Sequence, residues 1–314
     1  MFLKLQYKRF IKKLNRNLNY QVSFTLNICY NNDGDIMDGI LLVNKPSKMT
    51  SHDVVNRVRR VLHTKKVGHC GTLDPDATGV LVLCIGKATK ALQFLTSETK
   101  EYIATLSLGE ATDTFDASGQ ITETKVFQGV EHVEDVLQSF LGKQMQIPPL
   151  YSAIKVNGKK LYEYARNHEE VNVEPREVEI LDIELLSQID NEIQMRVLCS
   201  KGTYIRSLCV DIARRLGYPG HMKSLIRTKS GHFDIEDCYT LEDIENHSYE
   251  MMRLEEAFVF YDHYVIEDEN IVFHGKLIKS DIDHNVVVVN TSGKVLAVYG
   301  PNGQGYLKSI RGLF

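Results

Sequence analysis

Gly68-His69-Cys70-Gly71-Thr72-Leu73-Asp74-Pro75-Asp76-Ala77-Thr78-Gly79 is the stretch on which the reading of this 314-residue chain turns. It lies between a basic pair, Lys65-Lys66, and an apolar run, Val80 to Ile85. Three glycines in these twelve residues mark backbone that turns sharply or approaches something closely. Pro75 pushes Asp74 out of the helical region toward an extended conformation. Asp74 is then a lone carboxylate on a glycine-framed loop, just ahead of a predicted buried strand. An ordinary Asp-Pro turn would use the same letters, since Asp, Pro and Gly are the commonest turn residues. The rest of the chain has to decide between them.

Working outward, the composition is 43% hydrophobic and 25% charged, enough for a large core and a second, smaller domain. No apolar run approaches the ~20 residues of a membrane span, so a soluble, cytoplasmic protein is expected. Six cysteines (Cys29, Cys70, Cys84, Cys199, Cys209, Cys238) are scattered without a C-x-x-C pair. Neither a zinc knuckle nor a disulfide framework is indicated, and a reducing compartment fits. The net charge of −4 does not advertise nucleic-acid binding. Residues 1–36 hold six basic and two acidic residues, and the remainder 31 basic and 39 acidic. Any RNA face must therefore be segregated. It is: residues 55–66 contain Arg57, Arg59, Arg60, Lys65 and Lys66 and no acid, whereas residues 234–269 are rich in Asp and Glu.

In residues 1–36, Leu3, Tyr7, Ile11, Leu14 and Leu18 recur at helical spacing among lysines. A membrane-surface or targeting helix would look like this. The expected reading is an extension outside the fold, with Met37 as the natural start. Ile40 to Val43 reads as a short buried strand ending at Asn44-Lys45-Pro46. Thr50 stands three before Asp53, as in a capping box, and Val54, Val55, Val58, Val61 and Leu62 give one apolar face to a helix over 51–63. Val80 to Ile85 reads as a strand and Ala88 to Leu95 as a helix. In residues 101–108, Tyr102, Ala104, Leu106 and Leu108 alternate with more polar positions, the signature of a strand with one buried face. Thr112 to Gly119 is a polar turn segment, and Val133 to Leu141 a modest helix. From Gln146 to Arg166, tyrosines interleave with lysines, as a single-strand-binding element requires, or as an amphipathic surface excursion allows. Ile193, Met195, Val197 and Cys199 alternate into a strand. Ile205, Leu208, Cys209, Ile212 and Leu216 then mark a helix with Gly217 past its end. Arg206 falls in that helix's first turn, the unfavourable end for a cation unless an anion lies nearby. Residues 258–314 read as short strands, Ile271-Val272-Phe273, Val286 to Val289 and Val295 to Val298, separated by Ser292-Gly293 and Asn302-Gly303.

His69-Cys70-Gly71-Thr72-Leu73-Asp74-Pro75, followed by Ala77-Thr78-Gly79-Val80-Leu81-Val82-Leu83, resembles the catalytic motif of the TruB family of tRNA pseudouridine synthases. Lys45-Pro46 with Thr50-Ser51-His52, Lys100-Glu101-Tyr102, the 146–166 stretch and Lys201-Gly202-Thr203-Tyr204-Ile205-Arg206 resemble further family motifs in the expected order, over Gly39 to about residue 240. Cys70 stands where the family usually has threonine, a small departure.

The resemblance implies an α+β fold: a mixed, largely antiparallel pseudouridine-synthase sheet flanked by helices over 37–245, and a small β-rich PUA-like domain over 246–314. It implies isomerisation of uridine 55 in the tRNA T-loop, with no cofactor and no metal. Asp74 would be the nucleophile, and Arg206 the partner that keeps it ionised in a dry pocket. Tyr102 would stack on the flipped base and be available to assist a late proton transfer. Leu225 would floor the uracil pocket, and His69 would fill the space the base vacates. Lys45 would support the catalytic loop at the substrate site. Tyr204 and Lys155 would meet substrate, Lys155 from a thumb loop over 146–174 that folds across the T-stem-loop. The partner would be tRNA alone, bound by a monomer. A guide-RNA-dependent enzyme of the dyskerin type and a tRNA-folding chaperone are the other readings; the long thumb favours the standalone enzyme.

Overall fold

A computed structural model describes residues 38–96, 99–167 and 169–314. The extension 1–36 and Met37 lie outside the described residues. The strands are β1 (Gly39–Lys45), β2 (Val67–His69), β3 (Thr78–Ile85), β4 (Thr99–Leu108), β5 (Glu110–Thr112), β6 (Ile121–Thr124), β7 (Gly142–Gln146), β8 (Lys155–Val156), β9 (Lys159–Lys160), β10 (Arg176–Ile189), β11 (Glu192–Ser200), β12 (Gly220–Ser230), β13 (Phe233–Asp234), β14 (His263–Ile266), β15 (Ile278–Lys279), β16 (Val286–Asn290), β17 (Val295–Pro301) and β18 (Tyr306–Gly312). Two eleven-residue helices matter for the site, α1 (Ser51–Val61) and α2 (Ile205–Arg215).

The main sheet runs β1-β3-β12-β4-β11-β10-β7, with β2 and β13 paired at its margins. All its pairings are antiparallel except a short parallel contact of β12 with β3. The expected mixed, largely antiparallel sheet is therefore present. Tyr102, Ala104, Leu106 and Leu108 turn to the buried face of β4 as their alternation requires. They join Ile193, Met195, Val197 and Cys199 of β11 and the apolar face of α2 in one core. Helix α1 begins at the expected capping box: Thr50 accepts from the Asp53 amide, and Asp53 accepts from the Thr50 amide at 2.9 Å.

The C-terminal sheet runs β14-β16-β17-β18-β15. The four valines of β16 explain how it attaches. Val286 and Val288 face the small sheet's own core. Val287 and Val289 join Ile40, Leu42, Val80 and Val82 in a second cluster with β1 and β3. A strand covered on both faces reads as a continuous apolar run.

Two expected elements differ. Ile271-Val272-Phe273 lies in a single helical turn, Asn270–Phe273, not a strand. Asp268 Oδ1 accepts from the Asn270 amide at 3.0 Å and nucleates the turn, and Val272 is its buried residue. Ala88 to Leu95 forms a 3₁₀ segment, Gly86–Ala91, followed by one α turn, Leu92–Leu95. Three small residues on the buried side, Gly86, Ala88 and Ala91, allow that tighter winding. Among the described residues, no helix is long and apolar enough to cross a membrane.

Candidate active site

The 68–79 loop leaves β2 and enters β3, and side chains from three other elements fix it. Ser51, the first residue of α1, receives the Leu73 amide on its hydroxyl at 2.9 Å and donates back to the Leu73 carbonyl at 3.2 Å. Lys45, at the end of β1, is fully buried. Its Nζ donates to the carbonyls of Pro46 (2.8 Å), Pro75 (2.8 Å) and Ala77 (2.7 Å). All three ammonium protons thus go to backbone, and two of the bonds clamp the turn around Asp74. Burial lowers the Lys45 pKa to about 8, against the opposing pull of Asp76 and Asp74.

Arg206 reaches Asp74 from the first turn of α2. Its Nη2 donates to Asp74 Oδ1 at 3.1 Å, and its Nε lies 3.0 Å from Oδ2, out of line for a hydrogen bond. The arginine side chain is 5% exposed and the aspartate side chain 38%, so the ion pair has a dry end and an open end. The guanidinium also donates to the Thr114 carbonyl (3.1 Å) and the Tyr151 carbonyl (3.0 Å). Its Nη1 lies 3.4 Å from Asp116 Oδ2. A cation at a helix N-terminus is thus compensated by two carboxylates and two carbonyls. Burial pushes the Asp74 carboxyl above the usual carboxylate range. Arg206 and Lys45 pull it down, and the Asp116 charge pushes it up.

The sequence did not single out Asp116, which sits in what read as a polar turn. Thr114 Oγ1 and the Ser118 amide donate to its Oδ1 at 2.7 and 3.0 Å, fixing it toward Arg206.

Tyr102 is 7% exposed and shares a cluster with Leu73, Ala77 and Leu225. Leu225 pairs with Ala104 across β12 and β4, so the tyrosine and the leucine lie on one face. His69 ends β2 beside the loop, and burial pushes its imidazole below the usual range, with Arg227 adding to the fall. Tyr204 is fixed through its backbone: its amide donates to Gln146 Oε1 at 2.8 Å and its carbonyl accepts from Nε2 at 3.1 Å. Lys155 stands exposed on β8 and makes none of these contacts among the described residues. The thumb around it is a small hairpin, β8–β9, followed by a helical turn, Leu161–Arg166. Its rings pair with its own cations, Lys159 over Tyr164 at 4.6 Å and Lys160 over Tyr162 at 5.3 Å.

The family model "TruB family pseudouridylate synthase (N terminal domain)" matches residues 59–205, and "tRNA pseudouridylate synthase B C-terminal domain" matches 206–271. The chain belongs to the TruB family. The tRNA pseudouridine synthase B of Geobacillus thermodenitrificans is 43% identical over 299 residues, 88% of this chain and 99% of the relative. That of Oceanobacillus iheyensis is 54% identical over 214 residues, 67% of this chain and 71% of the relative. A chain in the crystal structure of a Cbf5-Nop10-Gar1 complex matches with a TM-score of 0.70, covering 94% of this chain and 92% of its own length. At 23% identity, that is a likeness of fold. As a TruB-family enzyme, the chain is an isomerase that forms pseudouridine in tRNA.

Proposed function

We propose that this enzyme isomerises uridine 55 in the T-loop of tRNA, with Asp74 as its nucleophile. The observation that carries the reading is the contact of Asp74 with Arg206, 132 residues apart in sequence, buried on the arginine side and open on the aspartate side. The reaction breaks the N1–C1′ bond, turns the uracil and joins its C5 to C1′. The C5 proton leaves and N1 gains one, so atoms balance. A nucleophile must be ionised and open to substrate, and Asp74 has its charge partner at the buried end and its exposed edge outward. The target base must leave its stack, at a cost of a few kcal/mol, and needs apolar walls to receive it. Tyr102 and Leu225 supply them from one face of the sheet. His69 fills the gap left in the RNA. Lys45 acts on the substrate through the loop it clamps. Tyr204 and the exposed Lys155 contribute from the rim and the thumb.

We assign catalysis to residues 37–245 and a small PUA-like domain to 246–314, and we take the enzyme to act as a cytoplasmic monomer. A guide-RNA-dependent mode rests here only on likeness of fold, whereas the relatives that match most of the chain are tRNA pseudouridine synthases. Asp74→Asn should abolish pseudouridine at position 55 of an in vitro tRNA transcript while leaving tRNA binding within about twofold, since only a charge changes. Product mapped elsewhere, or turnover retained by the variant, would refute the proposal.

A further inference from the structure

Arg227 is the largest fully buried side chain in the described residues, with 0% exposure. A buried guanidinium is costly unless its donors are satisfied. Among the described residues, it forms no ion pair with a carboxylate. Its donors go to backbone carbonyls: Nε to Val80 at 2.8 Å, Nη1 to Thr72 at 3.3 Å and Nη2 to Gly71 at 3.3 Å. Two of these carbonyls belong to the loop that carries Asp74, and the third to the strand that follows it.

The register of β12 explains the reach. Arg227 pairs with Tyr102 on one side and with Gly79 on the other. Directly paired residues share a face, so the guanidinium and the phenol are neighbours. The Gly79 side keeps the strands close: a Cβ there would fall 2.2 Å from the Arg227 carbonyl oxygen, at a φ of +103°. The same charge acts on the tyrosine. Burial pushes the Tyr102 hydroxyl up to about 12, and Arg227 pulls against that rise. One side chain thus touches the loop of the nucleophile and faces the residue that walls the base.

We infer that Arg227 is a positioning residue for the reaction, a planar fork that fixes the Asp74 loop against Tyr102 and sets the distance between nucleophile and base. It contacts no reacting atom. Its planar donor geometry matters as much as its charge, which an ammonium would not reproduce. This inference rests on Asp74 as the nucleophile. Failure of Asp74→Asn to stop turnover would sink that reading, whereas Arg227 variants test only the support.

The test measures single-turnover rate at saturating enzyme, tRNA affinity by filter retention and thermal midpoint, for Arg227→Lys and Arg227→Gln. Misplacing a catalytic group by about an ångström can cost about 100-fold, and losing such support typically costs 10–100-fold. Arg227→Gln should therefore slow the chemical step by about 100-fold with affinity within about twofold, and Arg227→Lys should recover part of the rate. Such a split between rate and affinity, with partial rescue by lysine, supports the inference. Wild-type rate in both variants, or affinity falling as far as rate, overturns it. Should Arg227→Gln fail to fold, Arg227→Lys decides by the same criteria. If the lysine variant also fails to fold, Arg227 is a folding residue and the inference is overturned.

Discussion

The Asp74 loop and the thumb both meet the Arg206 guanidinium and are held in opposite ways. Every turn of the loop is pinned from outside by a buried side chain: Ser51 on Leu73, Lys45 on Pro75 and Ala77, Arg227 on Gly71 and Thr72. The thumb is held mostly by itself, through Lys159 with Glu169, its cation–ring pairs and the Tyr164 hydroxyl on the Val156 carbonyl. It keeps Ile147 and Leu150 exposed, 58% and 42%. Its outward ties gather at the start of α2, where Gln146 bonds the Tyr204 backbone, Arg206 holds the Tyr151 carbonyl and Ser207 the Ile147 carbonyl. On the proposed reading, the nucleophile is therefore preorganised, and the thumb that would admit and release RNA is left free to adapt. Damage to the loop's pins should appear in the rate, and damage to the thumb's ties in affinity.

The largest effect expected from that contrast is at Lys45. With its pKa lowered to about 8, the loop's clamp titrates on the mildly alkaline side. The ammonium is present below that pH, and above it one of three donors to the backbone is lost. The turnover number should fall on the alkaline side with a midpoint near pH 8, while tRNA affinity stays level. Lys45→Met leaves buried carbonyls unsatisfied, at about 1–3 kcal/mol each, so its rate should be low at every pH and flat across this limb. A wild-type profile flat to pH 9.5, or a variant that keeps the limb, would assign the clamp to another group.

Asp116 should have a smaller effect of a different kind. Its charge raises the Asp74 pKa, so Asp116→Asn should lower it. A nucleophile works ionised, and its acid limb lies where it takes up a proton. The acid limb of the turnover number should therefore move to lower pH in Asp116→Asn. The plateau should drop as well, because Arg206 loses one of its two carboxylates. A pH–rate series between 4 and 8 distinguishes this from loss of Arg206 alignment alone, which lowers the plateau without moving the limb in that direction.

Much of this was legible in the letters. Alternation placed Tyr102 and Ala104 inward, a capping pair started α1, and an arginine at the wrong end of a helix announced an anion. The identity of the second anion was not legible. The Asp116 turn looks like any polar turn, and only the chain path places its Oδ2 by Arg206. Arg227 did leave a signal. It stands two residues after Leu225, so once β12 is read as a strand both fall on the buried face. The segment from His221 to Thr228 mixes a lysine and a serine into that alternation, and the period is hard to see without the partners β3 and β4. Ile271-Val272-Phe273 failed for a general reason: three apolar residues fit a strand or one helical turn equally, and the Asp268 carboxylate that accepts from the Asn270 amide just ahead of them favours the turn.

The smallest effect tests the thumb side. Ser207 is buried, and its hydroxyl donates to the Ile147 carbonyl at 2.9 Å, tying the thumb's first residues to α2. A neutral hydrogen bond of this kind contributes about 1 kcal/mol, roughly fivefold in an equilibrium constant. Ser207→Ala should therefore weaken tRNA binding by about fivefold, read as a rise in KM and in the filter-binding Kd, with the single-turnover rate at saturation unchanged. The adjacent Arg206 contacts do not pass through this hydroxyl, so the Asp74–Arg206 pair should not notice its loss. If Ser207→Ala instead slowed the saturated chemical step, the loop and the thumb would be mechanically joined, and the division between a fixed loop and an adaptable thumb would have to be given up.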